Sequence, residues 1–145
     1  MEVDKSVGAV VVGLDTKFNY PKLVMATLQI QAGKASFFAT NDDAYDMVNE
    51  KKFPGAGTMV AAIQCSLGPG EGGESQRPVV IGKPNPFAWD LIRRDHELGN
   101  CKALMLGDRM DTDILFGFQA GIDTCLMMSG CTENEQQINS QVEKD

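Results

Sequence analysis

The order of segments along the chain predicts an α/β protein with parallel strands. Three observations support this fold class. Short apolar or β-branched runs recur at residues 7–12, 35–40, 79–81, 103–106 and 124–128. Segments with apolar residues at helical spacing separate most of these runs, and glycine, proline or asparagine–aspartate clusters punctuate them. Repeated alternation of strand and helix favours parallel strands joined by right-handed crossovers.

Length and composition fit one average domain or two small units. The chain has 145 residues, of which 43% are hydrophobic and 23% are charged, as in globular proteins. The sequence has 13 basic and 20 acidic residues, so its net charge is −7. A negative net charge disfavours nonspecific binding to nucleic acid or to an anionic membrane. No apolar run approaches the roughly 18 residues of a membrane span. We therefore expect neither nucleic acid nor membrane as a partner.

The first half of the chain predicts strand, helix, strand and helix. The run at residues 7–12, Val-Gly-Ala-Val-Val-Val, is typical of a strand buried on both faces. Pro21 suits the first turn of a helix that ends at Gly33. After the second strand, at residues 35–40, loop chemistry begins, and no further strand is predicted before a helix at residues 58–67. The two glycines of Pro-Gly-Ala-Gly, which precedes that helix, can cradle phosphate, but a plain helix entry is the favoured interpretation.

The second half repeats the alternation. Residues 68–78 are rich in glycine and contain no aliphatic side chain after Leu67, so they predict an exposed connection and a domain boundary. A strand at 79–81 precedes a helix with Asn85 as its cap and Pro86 in its first turn. The apolar face of this helix, including Phe87 and Leu91, is expected to pack in the core.

The carboxyl-terminal part completes this pattern. A strand at 103–106, a helix from about residue 112 to 120, and a strand at 124–128 follow. In the last segment, residues 131–145, the aliphatic anchors are Ile138 and Val142, so a fraying polar tail is expected.

The cysteines indicate a reducing compartment. Cys65, Cys101, Cys125 and Cys131 form no Cys-x-x-Cys pair, and the lone His96 does not complete a usual zinc set with them. We expect free, mostly buried thiols. The first residues lack a basic segment followed by an apolar one, so the sequence predicts a cytoplasmic chain.

Candidate catalytic and metal-binding side chains are most concentrated at residues 107–115, Gly-Asp-Arg-Met-Asp-Thr-Asp-Ile-Leu. Asp108 directly follows an apolar strand, at the sheet edge where open α/β folds bind ligands. Three neighbouring carboxylates repel one another, and a hard cation such as Mg²⁺ relieves that repulsion. The alternative is purely structural: Asp111 or Thr112 caps the next helix, and Asp113 is a first-turn acid favoured by the helix dipole.

A second candidate is Lys83, in Ile-Gly-Lys-Pro at residues 81–84. It follows a short apolar strand, and its long cationic side chain can neutralise a phosphate or an attacking carboxylate. The alternative is a solvated lysine at a strand end.

The chain resembles the haloacid dehalogenase-like phosphatases. The resemblance rests on five segments in the family's order: the Val-rich opening through Asp15, Phe-Ala-Thr-Asn-Asp at 38–42, Pro-Gly-Ala-Gly-Thr at 54–58, Ile-Gly-Lys-Pro at 81–84, and the aspartate segment at 107–117. The most similar branch holds 4-nitrophenylphosphatase, phosphoglycolate phosphatase and pyridoxal phosphate phosphatase. The resemblance implies a Rossmann-like parallel sheet as a partial core, with an α/β cap.

The resemblance also implies a domain plan. Residues 1–77 match the substrate-selecting cap, residues 78–130 the carboxyl-terminal half of the core, and residues 131–145 a polar tail. In this plan the region from Asn41 to Gly57 lies near the substrate-facing loops, and caps of this type often mediate homodimers.

The same resemblance implies roles for individual residues. Lys83 matches the lysine that stabilises the charge of the nucleophile and of the transferring phosphoryl group. Asp108 matches an acid that helps hold Mg²⁺, and Asp113 matches the second acid, which supports the metal shell. Asn41, Asp42, Gly82 and Lys83 are the predicted substrate-binding residues. The implied substrate is a small phosphate monoester.

One departure from the family is important. Family members carry Asp-x-Asp-Gly on the first core strand, whose first aspartate forms an aspartyl-phosphate; these 145 residues contain no such motif, and the second-motif Ser or Thr has no counterpart. We therefore expect the chain by itself to be inactive, because covalent phosphoryl transfer needs an in-line nucleophile. The strand at 103–106 is then left with an unpaired inner edge.

Two other functions remain open. The first is a non-catalytic binding or dimerisation module from a truncated phosphatase. The second, less favoured, is a phosphate-binding receiver-like domain, which would also need an acid on its first strand.

Overall fold

The computed structural model describes residues 2–68 and 77–132. The chain divides into two compact units, Met1–Ile81 and Gly82–Asp145. Most of the predicted connection at 68–78 and of the predicted tail at 131–145 lies outside the described residues. The division into units falls after Ile81 rather than at residue 78, and the cap and core roles of the two parts stay predictions.

The described part of the first unit, residues 2–68 and 77–81, contains seven helices and strands. In chain order they are β1 (Ala9–Val12), α1 (Tyr20–Gln31), β2 (Ser36–Ala39), β3 (Tyr45–Val48), β4 (Lys51–Pro54), α2 (Ala56–Leu67) and β5 (Val79–Val80). β1, β2 and β5 form a parallel sheet with β2 in the centre, which confirms the predicted α/β class.

Local chemistry explains where both helices begin. The Asn19 side chain accepts a hydrogen bond from the Lys22 backbone N–H, and Pro21 lies in the first turn, as predicted. α2 begins at Gly55 without a side-chain cap. A Cβ at Gly57 would overlap the backbone oxygen of Asp42, so the glycine serves close approach of helix and loop.

The core of this unit lies on one face of the sheet. Its buried residues come from β1, β2, α1 and α2: Val12, Ile30, Phe37, Ala39, Val60, Ile63 and Leu67. On the opposite face the strand register aligns Val11, Phe38 and Val79 in a row, and Val11 and Val79 are 62% and 57% exposed. The prediction that the first strand is buried on both faces is wrong, because the helices described here cover one face.

The β3–β4 hairpin was not predicted from sequence. Its strands are antiparallel, with Tyr45 opposite Pro54 and Val48 opposite Lys51. Asn49 and Glu50 form the turn with φ of 48° and 62°, the left-handed values that a tight hairpin turn requires. Because Glu50 stands where glycine is usual and every strand residue is exposed, the segment lacks both the turn signal and the alternation of a strand.

Over residues 82–132, the part that the structure describes, the second unit contains five helices and strands. They are α3 (Phe87–Asp95), β6 (Leu104–Gly107), a π-helix (Met110–Ile114), α4 (Leu115–Ala120) and β7 (Asp123–Leu126). β6 and β7 are parallel, with Leu104 opposite Asp123 and Gly107 opposite Leu126. The helix predicted from about residue 112 thus begins as a π-helical turn two residues earlier, and it ends at Gly121, whose φ is +66°.

Much of the apolar surface of the second unit is exposed. Phe87 and Ile92 are 50% and 47% exposed, and α3 has no buried residue, so the prediction that this helix packs in the core is wrong. Leu104 and Leu106 are also exposed. Within residues 2–68 and 77–132, β7 is the one strand paired with β6.

The structure also bears on the cysteines and on membrane-spanning helices. All four cysteines are free and exposed, so the prediction of mostly buried thiols is wrong. Among the described helices, none has the length and apolarity needed to span a bilayer.

Candidate active site

The centre of the candidate site is the buried carboxylate of Asp113, which is 3% exposed. Its Oδ1 accepts a hydrogen bond from Lys83 Nζ at 2.5 Å. Its Oδ2 accepts bonds from the backbone N–H groups of Asp108 and Arg109, at 3.1 and 3.2 Å. The buried Asp113 side chain therefore brings the Lys83 side chain and the Asp108 backbone close together.

The turn after β6 explains why Asp113 points to this position. The backbone N–H groups of Asp113 and Ile114 both donate to the Arg109 oxygen, at 3.0 and 3.1 Å, so the chain folds back sharply after Asp108. A Cβ at Gly107 would overlap the Asp113 side chain. Glycine at the end of β6 is thus required for the carboxylate to reach the backbone of the turn.

Asp108 is held by the segment after β7. Its Oδ2 accepts from the Cys131 N–H at 2.7 Å, and its backbone oxygen accepts from the Thr132 N–H at 3.1 Å. The bond from the Cys131 amide lowers the pKa of Asp108, against the opposing effect of partial burial. The carboxylate is therefore ionised at neutral pH. Partial loss of contact with water raises the pKa of the largely exposed Cys131 thiol, with smaller contributions from the Asp108 charge and from a hydrogen bond between the thiol and Asp108. The thiol is therefore protonated at neutral pH.

Arg109 and Asp111 form a bidentate ion pair beside the site. Arg109 Nε and Nη2 donate to the two carboxylate oxygens of Asp111, at 3.0 and 2.7 Å. This pairing lowers the pKa of Asp111. No side chain caps the π-helix, so the alternative in which Asp111 or Thr112 is its N-cap is wrong. Asp113 does lie in the first turn, and there it accepts backbone N–H groups.

Lys83 comes from the turn after β5. Its side chain is half exposed, in contrast to its buried partner Asp113. The Lys83–Pro84 peptide bond is cis. Among the described strands, β5 pairs with β2 and β6 pairs with β7, so no strand pairing in this part of the chain accounts for the approach of Lys83 to Asp108. Their proximity depends on the Asp113 carboxylate instead.

The predicted substrate-binding residues are divided between the two units. Gly82 directly precedes Lys83, and its backbone oxygen accepts from the Asn85 N–H at 3.0 Å. Asn41 and Asp42 lie in the first unit between β2 and β3, where Asn41 Oδ1 accepts from the Asp43 N–H at 3.2 Å. The binding role of all four residues stays a prediction.

Sequence reasoning missed the contribution of residues 130–132. A signal was available: Ser-Gly follows the last strand closely, and parallel strands present their carboxyl ends at one edge. What the sequence did not indicate is that a backbone amide makes the main contact with Asp108.

The donor chemistry fits Mg²⁺ in part. Three protein donors already converge on Asp113, whereas Asp108 is only partly buried and offers a carboxylate. Across the described residues, no group of three His, Cys, Asp or Glu side chains is arranged to hold a metal. Mg²⁺ is usually bound by one or two carboxylates, several waters and substrate phosphate, so one protein ligand from this site is compatible with it.

Comparison with known proteins gives matches over nearly the whole chain. Residues 80–145 match the HAD-hydrolase-like family. The chain is 43% identical over 140 residues to phosphoglycolate phosphatase 2 of Arabidopsis thaliana, which covers 95% of this chain and 44% of that protein. The chain thus spans less than half the length of this relative.

Two solved structures are similar in fold and sequence. A 4-nitrophenylphosphatase from Thermotoga maritima is 30% identical, with a TM-score of 0.80, covering 94% of this chain and 49% of that one. A glycerol phosphate phosphatase from Mycobacterium tuberculosis, in complex with magnesium, is 32% identical, with a TM-score of 0.74, covering 87% and 35%.

Proposed function

Because this chain belongs to the haloacid dehalogenase-like phosphatases, which are phosphoric monoester hydrolases, we propose that the protein hydrolyses small phosphate monoesters with the help of Mg²⁺. The observation that carries the proposal is the convergence of Lys83 and Asp108 on the buried carboxylate of Asp113. The Lys83 ammonium can bind a phosphoryl group, and the Asp108 carboxylate beside it can bind the metal ion.

In this proposal Lys83 binds the phosphoryl group. Its ammonium is half exposed and fixed by Asp113, so it presents positive charge to a ligand without having to reorganise. A lysine ammonium that is already in position before the ligand binds stabilises the negative charge that builds up on the phosphoryl oxygens during transfer. We propose that Gly82, which precedes Lys83 and has no side chain, lets the ligand approach the backbone.

Asp108 is the residue that we propose as a metal ligand, and Asp113 supports it through the backbone N–H of Asp108. Bound Mg²⁺ would supply neutralisation of phosphate charge. The magnesium-bound glycerol phosphate phosphatase supports this assignment by similarity.

The attacking group is not among the residues that this site brings together. Lys83 is a cation, Asp113 is committed to three donors, and Asp111 is paired with Arg109. We propose that a carboxylate outside this group attacks phosphorus in the working enzyme and forms an aspartyl-phosphate. The 145-residue chain by itself is then expected to bind phosphate without turnover.

The names of the relatives support the substrate class that we propose. Phosphoglycolate and 4-nitrophenyl phosphate are both small monoesters with one phosphate dianion, and we propose that this protein acts on esters of that kind. We further propose that Asn41 and Asp42, in a cap formed by the first unit, contact the organic part of the ester.

The test measures phosphate binding and turnover on the same chain. With Mg²⁺ present, inorganic phosphate should shift the backbone amide resonances of Lys83 and Asp108, and Lys83→Met should abolish the shifts. Lys102→Met, which removes a lysine outside the site, is the matched control and should leave them unchanged. Shifts that persist in Lys83→Met, or no shifts at all, contradict the proposal.

A second candidate is the non-catalytic module, favoured by the absence of Asp-x-Asp-Gly from the 145 residues. Turnover of 4-nitrophenyl phosphate that Asp108→Asn abolishes would exclude this candidate and show that the chain suffices for catalysis. Phosphate binding without turnover is compatible with either a site awaiting its nucleophile or a module. Adding phosphoglycolate phosphatase sequence that carries Asp-x-Asp-Gly should restore turnover in the first case only.

We also propose that the first unit forms a homodimer through its sheet. The exposed row Val11, Phe38 and Val79 carries no charge on a chain of net charge −7, so a second copy meets no like charge there. Light scattering should give a dimer for the wild type and a monomer for Val11→Asp; a monomeric wild type contradicts this. The four free cysteines support a reducing compartment such as the cytoplasm.

A further inference from the structure

We propose that the loop after β7, residues 128–132, is a positioning element for the Asp108 carboxylate and that Gly130 is the residue on which it depends. The proposal rests on the proposed function, in which Asp108 meets the metal. It assigns a role to residues that touch neither substrate nor metal.

Consecutive amides of the loop hold both parts of Asp108. The Cys131 N–H donates to Oδ2 of the side chain at 2.7 Å, and the Thr132 N–H donates to the backbone oxygen at 3.1 Å. One residue earlier along β6, the Gly107 oxygen accepts from the Met127 N–H at 2.7 Å. Backbone hydrogen bonds from Met127 and Thr132 to consecutive residues therefore fix both ends of the loop beyond the paired strands, and the Cys131 amide between them reaches the carboxylate.

Thr132 anchors the loop. It is 5% exposed, whereas the neighbouring Cys131 is exposed. A buried anchor beside an exposed residue fixes the direction of the Cys131 N–H. The Cys131 thiol also interacts with the Asp108 carboxylate, but its effect on the Asp108 pKa is smaller than that of the amide. The amide contact should therefore persist when the side chain at position 131 is changed.

Gly130 supplies the space that the carboxylate occupies. A Cβ at this position would overlap Oδ2 of Asp108 and lie 2.6 Å from its Cγ. The backbone of Gly130 is not in the left-handed region, so the requirement is steric. Gly130→Ala should therefore displace the Asp108 side chain while leaving the backbone conformation accessible.

The first experiment needs no metal. Exchange of the Cys131 amide with water, measured by NMR, should become about tenfold faster in Asp108→Ala and in Gly130→Ala, because the charged acceptor is removed or displaced. The Thr132 amide is an internal control in Asp108→Ala, since its acceptor is a backbone oxygen. Gly8→Ala is the matched glycine control, because nothing lies within 4 Å of a Cβ at Gly8.

Two outcomes would overturn the proposal. Cys131 exchange unchanged in both variants would show that the amide does not hold the carboxylate. Equal acceleration at Thr132 in Asp108→Ala would show that the loop has unfolded and that the single bond was not the cause. Cys131→Ala should keep the protected amide, which would show that the amide holds the carboxylate without the help of the thiol.

The second experiment tests whether the positioning serves the metal. Mn²⁺, used as a paramagnetic probe, should broaden the Cys131 amide resonance of the wild type, and Gly130→Ala should weaken Mn²⁺ binding by about 10- to 100-fold. Equal affinity in both proteins would overturn the positioning role. If Mn²⁺ does not broaden the wild-type resonance, the proposed metal role of Asp108 fails, and the exchange experiment still decides whether the loop holds the carboxylate.

Discussion

At the scale of single residues, Asp113 organises the candidate site more than any residue that would touch a ligand. Its carboxylate is buried, and each of its oxygens is engaged by the protein. The three donors do not contribute equally. Two are backbone N–H groups at a fixed turn, whereas the third belongs to a half-exposed lysine that water can also solvate.

Asp113→Ala should therefore destabilise the second unit more than Lys83→Met does. We expect a loss of about 2 kcal/mol for Asp113→Ala, because two backbone donors lose their acceptor, and about 1 kcal/mol or less for Lys83→Met. Urea unfolding followed by tryptophan fluorescence measures this, since Trp89, the single tryptophan, lies in the second unit. Equal losses in the two variants would contradict this ranking.

The stability contributed by Asp108 should depend on pH. Because the Cys131 amide lowers the pKa of Asp108 in the folded protein, the charged carboxylate favours folding at pH values above its ordinary pKa of about 3.9. That contribution is lost as pH falls through the lowered folded pKa.

The unfolding free energy of wild type minus that of Asp108→Asn should accordingly be constant above about pH 6 and shrink below about pH 4. Urea unfolding at a series of pH values gives this difference. A difference that grows on acidification would have the wrong sign for a lowered pKa.

At the scale of elements, α4 packs closely against the β6–β7 pair. A Cβ at Gly117 would overlap Cγ2 of Thr124 and lie 3.3 Å from the Met105 Cβ. Phe116, beside it, is buried. Since the Gly-Asp-Arg turn connects β6 to the π-helix and α4, this packing supports the position of Asp113.

Gly117→Ala should destabilise the second unit by roughly 1–3 kcal/mol through overpacking. Thr124→Ser removes the methyl group concerned, so the double variant should recover most of the loss. Urea unfolding of the wild type, the two single variants and the double variant gives a double-mutant cycle of unfolding free energies. If Thr124→Ser does not rescue Gly117→Ala, the clash is not the cause of the loss.

How much of each element could be predicted depended on how local its cause is. α1 was predicted because its cap and Pro21 lie within a few residues of its start. The β3–β4 hairpin was missed because Glu50 adopts a left-handed conformation without being glycine. The burial of α3 was overestimated because amphipathic spacing shows that a helix has an apolar face, but not what covers it.

The sequence indicated which residues to consider for the site, but not the hydrogen bonds that join them. Lys83, Asp108 and Asp113 stand out by their position after apolar runs and by their resemblance to family motifs. That Asp113 bridges the other two, and that a backbone amide holds Asp108, depends on the tertiary approach of residues 83, 113 and 131, which spacing does not encode.

At the scale of the whole molecule, the acidic balance limits the partners. With net charge −7, the chain should repel polyanions at neutral pH. Lys83 is thus a local cation on an acidic protein, which suits a small phosphate better than an extended phosphate backbone.

We expect the chain to pass through a heparin column at about 0.1 M NaCl and neutral pH, because nonspecific polyanion binding requires net positive contacts. Lysozyme, run in parallel, is a basic control for the column. Retention that requires a salt gradient for elution would contradict the prediction and point to a basic surface.

The turn of the β3–β4 hairpin has a consequence for engineering. Asn49 and Glu50 both adopt left-handed φ, so the strands on either side must hold the turn in a conformation that glutamate disfavours. Glu50→Gly would create Asn-Gly, the dipeptide most suited to such a turn, and amide exchange within the hairpin should slow. A single-codon change at an exposed tip would then give a more thermostable scaffold whose Lys83, Asp108 and Asp113 are untouched.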